Sequence, residues 1–190
     1  TIEILMEDVF RESSLQQIED ALLREKRITL FVKRDDLIHP HIQGNKWRKL
    51  KYNIERAQAT GKKTLLTYGG AYSNHIYATA AAAKVFGFHA IGIIRGEEPE
   101  EKSETLKFAA SQGMELIFLS REKYKQKDLP GNLESLRMQF GDFYFLPEGG
   151  TNVLALKGVS EIIDELNIAY DYITVPCGTG GKFAVLVAGL

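Results

Sequence analysis

A single cysteine among 190 residues, Cys177, excludes an intrachain disulfide and fits a reducing compartment. Charge of one sign is missing too: 24 Lys+Arg stand against 25 Asp+Glu, a formal net charge of −1, with the charges scattered rather than blocked. That balance argues against a nucleic-acid binder working by bulk charge. No apolar run approaches the roughly 18 residues that a membrane helix needs. The opening "TIEILMEDVFRESS" is acidic and polar, without the basic segment and apolar core of a secretory signal. Internal repeats and low-complexity tracts are absent, and no metal site is expected. A cytoplasmic protein without membrane or nucleic-acid partners is the expectation, and 44% hydrophobic residues are enough for a real core.

What is present alternates. Residues 13–27 predict a helix, because Ser13 and Ser14 each precede a glutamine by three positions and Leu15, Ile18 and Leu22 share a face. "ITLFVKR" (28–34) predicts a strand, and after the loop "DDLIHPHIQG" a helix is expected from about Asn45 to Thr60, with Trp47, Leu50, Ile54 and Ala57 facing a core. Five short apolar runs follow: "TLLTY" (64–68), "AIGII" (90–94), "ELIFL" (115–119), "FYFL" (143–146) and "YITV" (172–175). Helices are expected between them near 74–86, 103–112, 132–140 and 153–167, and the charged loop "GEEPEEKSE" (96–104) reads as solvated. This alternation implies open α/β architecture with parallel strands, whose ligands bind beyond the carboxyl ends of the strands. "GGAYSNH", "PEGGTN" and "PCGTGGK" each directly follow a run, so the unusual residues fall where such a site belongs.

"VPCGTGGKF" (175–183) is a glycine-rich turn able to offer backbone N–H groups to an anion. It fails the ATPase phosphate-loop pattern, having Pro176 where a glycine is needed and Phe183 where Ser or Thr is needed, and Phe183 also breaks a dinucleotide fingerprint starting at Gly178. A generic phosphate cup remains, alongside the plainer reading of a sterically tight turn. In "TYGGAYSNHIYATAAAA" (67–83), Ser73 or Asn74 reads first as a helix N-cap and His75 as a surface histidine. Lys46 in "IQGNKWRKLKYN" has two bland readings, a solvated cation or part of an RNA-binding patch with Trp47 and Tyr52. Yet a helix start disfavours the cations Lys46, Arg48 and Lys49, and neighbouring positive charge lowers an amine's pKa, which suits a lysine that attacks a carbonyl.

Taken in order, "VKRDDLIHP", "GNKWRKL", "GGAYSNH", "PEGGTN" and "GTGG", spread over residues 32–181, resemble the fold type II pyridoxal phosphate enzymes of the tryptophan synthase beta-like fold. The resemblance is strongest to the 1-aminocyclopropane-1-carboxylate deaminase/D-cysteine desulfhydrase family. It implies that Lys46 links covalently to pyridoxal 5'-phosphate and then moves protons at the substrate. Asn74 matches the asparagine that hydrogen-bonds the cofactor's phenolic oxygen, and Ser73 the serine that contacts substrate and assists catalysis. Gly178, Thr179, Gly180 and Gly181 match the loop that holds the cofactor phosphate. Family deaminases tend to carry glutamine where desulfhydrase-like members often carry histidine, so His75 in the substrate site leans toward D-cysteine. Lys182 stands where relatives commonly have Ser or Thr, which removes a hydroxyl donor.

The resemblance further implies two open parallel-sheet α/β domains: a large cofactor-binding domain from 1–52 and 146–190, and an inserted small domain from 53–145. Family members are longer, and their substrate tyrosines and ring-nitrogen partner lie beyond the residue matching 190, so the expectation is a fragment lacking the C-terminal part of the large domain. The implied activity is deamination of a small amino acid, with release of pyruvate, ammonia and sulfide if that is D-cysteine, by a homodimer. A phosphometabolite-binding protein of the same fold without catalysis is the alternative.

Overall fold

In the computed structural model the described residues are 9–176, 180, 183–185 and 187. An antiparallel hairpin, β1 (Leu15–Ile18) and β2 (Leu30–Lys33), carries a short helix α1 (Ala21–Glu25) between its strands. After a 3-10 turn at Asp35–Leu37 comes α2 (Asn45–Ala59), followed by β3 (Thr64–Gly70), α3 (Asn74–Phe86), β4 (His89–Arg95), α4 (Glu104–Ser111) and β5 (Met114–Leu119). The chain continues through α5 (Arg121–Lys125), α6 (Asn132–Phe140), β6 (Tyr144–Leu146), a 3-10 turn at Glu148–Gly150 and α7 (Val153–Asp164).

Strands β3 to β6 form one parallel sheet in the order β5-β4-β3-β6. Alternation along each strand sends its residues to two cores. Leu65, Ala90, Ile94, Met114 and Leu146 pack with α2, α3 and α4, while Leu66, Tyr68, Ile91 and Ile93 pack with Tyr124 of α5 and Leu136 of α6. The chain builds outward from β3 to β4 and β5, then returns to the opposite side of β3 for β6. This reversal of strand order puts a topological switch point between β3 and β6, where open α/β sheets place their ligands.

The helices expected at 45–60, 74–86, 103–112 and 132–140 and four of the later strands are present with small shifts of their ends. The helix expected over 13–27 is not. Leu15–Ile18 pairs with Leu30–Lys33, Arg34 N donates to Ser14 O (2.8 Å), and the Ser13 hydroxyl donates to Asp35 Oδ1 (2.7 Å) rather than capping a helix. The true N-cap is Asp20, whose carboxylate accepts from Leu22 N at 2.8 Å. The run at 172–175 forms no strand either. Ile173 and Val175 pack on Val159 and Ile162 of α7, Tyr172 is exposed, and among the described residues no strand pairs with this segment. Helix α7 stops at Asp164, short of Asn167, with Glu165 as its C-cap. No described helix is long and apolar enough to cross a membrane.

Helices α2 and α7 meet backbone to side-chain-free backbone. A Cβ on Gly158 would lie 1.9 Å from Arg48 O, inside any tolerable contact, so the seam closes only with glycine there. Gly158→Ala forces the helices apart and is expected to destabilise by about 1–3 kcal/mol or more. A fall in the thermal midpoint, against little change for Ser160→Ala on the exposed side of the same helix, is the check.

Candidate active site

Helix α2 begins without a side-chain cap. Gly44 sits at φ 59°, a conformation costly for other residues, and its N–H donates to Asp35 O at 2.9 Å. The loop before it is pinned by His39, whose Nδ1 accepts from the backbone N–H of His41 (3.0 Å) and Ile42 (3.1 Å). Burial first, and His41 second, lower the His39 pKa, in keeping with a ring nitrogen that accepts. Trp47 is core, stacked on Phe10 with ring centroids 3.6 Å apart.

The cations that follow Lys46 are engaged inside the protein. Arg48 is buried and grips two carboxylates in bidentate fashion: Asp35 at 2.8 Å on both oxygens, and Glu165 at 2.7 and 2.8 Å. Burial alone would lower the Arg48 pKa, but the two carboxylates outweigh it and raise it. Burial would likewise raise Glu165, yet Arg48 and Lys33 pull it down to about 2. Lys51 donates to Glu161 at 3.0 Å, Tyr52 also donates to Glu161, and the Lys157 ammonium lies 3.9 Å from the Tyr52 ring centroid. Within "KWRKLKY" the tryptophan is thus in the core, and Arg48 and Lys51 are engaged by carboxylates.

Lys49 and Asn53 make the polar side of α2, both buried. Lys49 Nζ donates to Gly149 O (3.1 Å) and Thr151 Oγ1 (2.8 Å), in the loop after β6. Asn53 Nδ2 donates to Lys49 O (2.7 Å) and Asn152 Oδ1 (3.2 Å), while its Oδ1 accepts from Asn152 Nδ2 (2.7 Å) and the Tyr144 hydroxyl (2.9 Å). Asn152 in turn caps α7, accepting from Ala155 N at 2.9 Å. Lys46, Lys49 and Asn53 follow i, i+3, i+7 spacing, one helix face, a stripe readable in the sequence.

Across the switch point, the turn after β3 delivers the second group. A Cβ on Gly69 would stand 2.5 Å from Ile76 Cγ1 and 2.9 Å from Ser73 Oγ, so α3 folds back onto its own strand only over glycine. Ser73 is the N-cap of α3, its Oγ accepting from Ile76 N at 3.3 Å, and Asn74 is the exposed first helical residue. His75 corrects the surface reading: it is buried, with Nε2 2.9 Å from Thr67 Oγ1. Its expected direct contact with substrate is not what this placement offers, because the ring is covered by Gly150. That glycine has φ 70°, and a Cβ on it would lie 2.8 Å from His75 Cε1. Burial first, then the positive charges of Lys46 and Lys49, push the His75 pKa down to about 3.

The lysine face of α2 and the turn bearing Ser73 and Asn74 thus converge on His75 and the loop at 147–152. Of the expected phosphate loop, Gly180 has φ 78°, a conformation that favours glycine, while Gly178, Thr179, Gly181 and Lys182 lie outside the described residues. Among the described residues no group of three or more His, Cys, Asp or Glu side chains is placed to hold a metal ion.

This arrangement has known counterparts. The profile of the family described as pyridoxal-phosphate dependent enzyme matches residues 14–190. The chain belongs to that family, and pyridoxal phosphate is its cofactor. A Pyrococcus horikoshii protein provisionally named 1-aminocyclopropane-1-carboxylate deaminase is 32% identical over 94% of this chain and 56% of its own length. The D-cysteine desulfhydrase of Serratia proteamaculans is 29% identical over 93% of this chain and 56% of its own. A solved structure described as an ACC deaminase homologue superposes with TM-score 0.77 at 28% identity, covering 99% of this chain and 61% of that one. The chain therefore spans somewhat over half the length of the relatives it matches.

The residues fit the cofactor. A primary amine on Lys46 suits its aldehyde, and an exposed Asn74 amide suits its phenolic oxygen.

The depressed His75 pKa has a consequence for stability. Folded His75 titrates at about 3 against an ordinary 6.5, so its contribution is fully present above pH 6.5 and is lost as pH falls toward 3, where only the unfolded state binds the proton. The shift corresponds to on the order of a few kcal/mol at most. In chemical denaturation between pH 7 and 4, His75→Gln is expected to show a shallower loss of stability than the parent; parallel curves would contradict the assignment.

Proposed function

We propose that the protein is a pyridoxal phosphate-dependent deaminase or lyase acting on a small amino acid, of the D-cysteine desulfhydrase or 1-aminocyclopropane-1-carboxylate deaminase type. The observation that carries the reading is the meeting of the Lys46 face of α2 with the Ser73-Asn74 turn at the β3/β6 switch point. The names of the Pyrococcus and Serratia relatives support both reaction types without choosing between them.

In this proposal Lys46 holds the cofactor and, once released by the incoming amino group, carries a proton to or from the substrate carbon. Asn74 would donate to the phenolic oxygen of the cofactor and so help to orient it. Ser73 touches the substrate from the helix start, where the N-terminus of α3 favours a carboxylate. Gly178, Thr179, Gly180 and Gly181 cradle the phosphate. When bound, the cofactor supplies an electron sink for breaking a bond beside the substrate nitrogen. His75 is assigned an influence on substrate choice exerted from behind the surface.

The sheet of β3 to β6 forms the core of the proposed small domain (53–145), and 1–52 with 146–190 belong to the large one. A homodimer in the cytoplasm is the assembly we propose, with a small amino acid as the ligand.

Lys46→Ala is expected to remove the visible absorbance of cofactor-loaded protein and to lower turnover at least 1,000-fold, on the order of what loss of a covalent and acid-base group costs. Absorbance and turnover near parental levels would refute the lysine's role. Substrate choice is tested by release of keto acid. The parent is expected to prefer D-cysteine over 1-aminocyclopropane-1-carboxylate, and His75→Gln to shift the ratio toward the latter. A parent that prefers the cyclopropane substrate contradicts this part of the reading.

A further inference from the structure

The Thr67 hydroxyl has one proton, and it is committed: Oγ1 donates to Leu146 O at 2.9 Å. The contact of His75 Nε2 with the same oxygen, also 2.9 Å, therefore runs from nitrogen to oxygen, which fixes the neutral imidazole with its proton on Nε2. The other ring nitrogen, Nδ1, is buried and has no hydrogen-bond partner among the described residues. It faces Gly150, where a Cβ would come within 3.1 Å of it. The flanking residues Gly149 and Thr151 accept the Lys49 ammonium. One strut thus runs from α3 through the His75 ring to the loop at 147–151 and on to α2, with a second foot on β6 through Thr67. Its ends are the residues next to the two halves of the site: His75 follows Asn74, and Lys49 lies one turn beyond Lys46.

We propose that His75, braced by Thr67, is a positioning residue: it sets the distance between the Ser73-Asn74 turn and the Lys46 helix by bearing on Gly150. It touches neither cofactor nor substrate. The arrangement explains why polar groups occupy core positions that apolar side chains would fill at lower cost, since Thr67 satisfies the Leu146 carbonyl and at the same time orients the His75 ring plane. It explains Gly150 as well, whose missing Cβ is the space the ring occupies. The inference rests on the proposed site only for naming which residues are positioned.

The test uses cofactor-loaded protein and three readouts. Nitrogen NMR of the His75 ring, assigned by its absence in His75→Gln, is expected to show the imidazole held neutral with its proton on Nε2 between pH 8 and 5, despite the charges that face it, Lys46 and Lys49 from α2. Thr67→Val, which removes both hydrogen bonds at nearly constant volume, is expected to weaken pyridoxal phosphate binding, followed by its visible absorbance, and to lower kcat about 10- to 100-fold with KM changed much less, as misplacement of reacting groups does. Thr67→Ser keeps the hydroxyl and is expected to restore both to within about threefold of the parent, on the same ground of restored positioning. A parent imidazole with its proton on Nδ1, or a folded Thr67→Val that retains cofactor affinity and kcat, overturns the proposal. If Thr67→Val does not fold, the parent's tautomer and a Thr67→Ser that fails to match the parent decide against it, and agreement of both decides for it. A protein that turns over no amino acid counts against the proposed reaction, whereas cofactor affinity and the NMR tautomer still settle the strut.

Discussion

Everything at the switch point depends on one seam, the buried polar face of α2 pressed against the loop that follows β6. An ammonium and an amide, Lys49 and Asn53, are withdrawn from water there, and each is answered by specific partners: a carbonyl and a hydroxyl for the first, Asn152 and Tyr144 for the second. Unanswered, such groups would cost several kcal/mol. Answered, they admit only one register of helix against loop. Gly158 lets α7 close on the outer side of α2, and Arg48 ties that helix to Asp35 and Glu165, so the first turn of α2, with Lys46 on it, is held from both directions.

The same logic accounts for the glycines. Gly69 and Gly150 are required by what presses on them, Ile76 and Ser73 in one case and His75 in the other, with Gly150 also in left-handed backbone. Side-chain-free backbone at the carboxyl ends of β3 and β6 is what allows two helix starts and a loop to converge around one buried imidazole.

Much of this was legible in the sequence. Short apolar runs bounded by turns marked β3, β4, β5 and β6, and the helices between them were marked by their spacing. The motifs at 69–75 and 147–152 were recognisable as loops beyond strand ends. What failed did so for tertiary reasons. The apolar spacing of Leu15, Ile18 and Leu22 mimics a helix, but Leu15–Ile18 is claimed by pairing with β2, a contact that local pattern does not reveal. "YITV" carries strand propensity yet has no partner strand among the described residues. His75 looked superficial because a histidine beside a helix start usually is; its burial depends on Gly150, 75 positions away. The roles of Lys49 and Thr67 are likewise properties of contacts, although the i, i+3, i+7 stripe of α2 was a signal that could have singled out Lys49 and Asn53.

The account stands on Lys46 being the residue that these constraints deliver to the cofactor. The direct measurement is to load the protein with pyridoxal phosphate, reduce it with borohydride, digest it and find by mass spectrometry which side chain carries the pyridoxyl group. Modification at Lys46 in near-stoichiometric yield is the predicted result. A label at Lys49 or Lys182, or one spread over surface lysines, would contradict it.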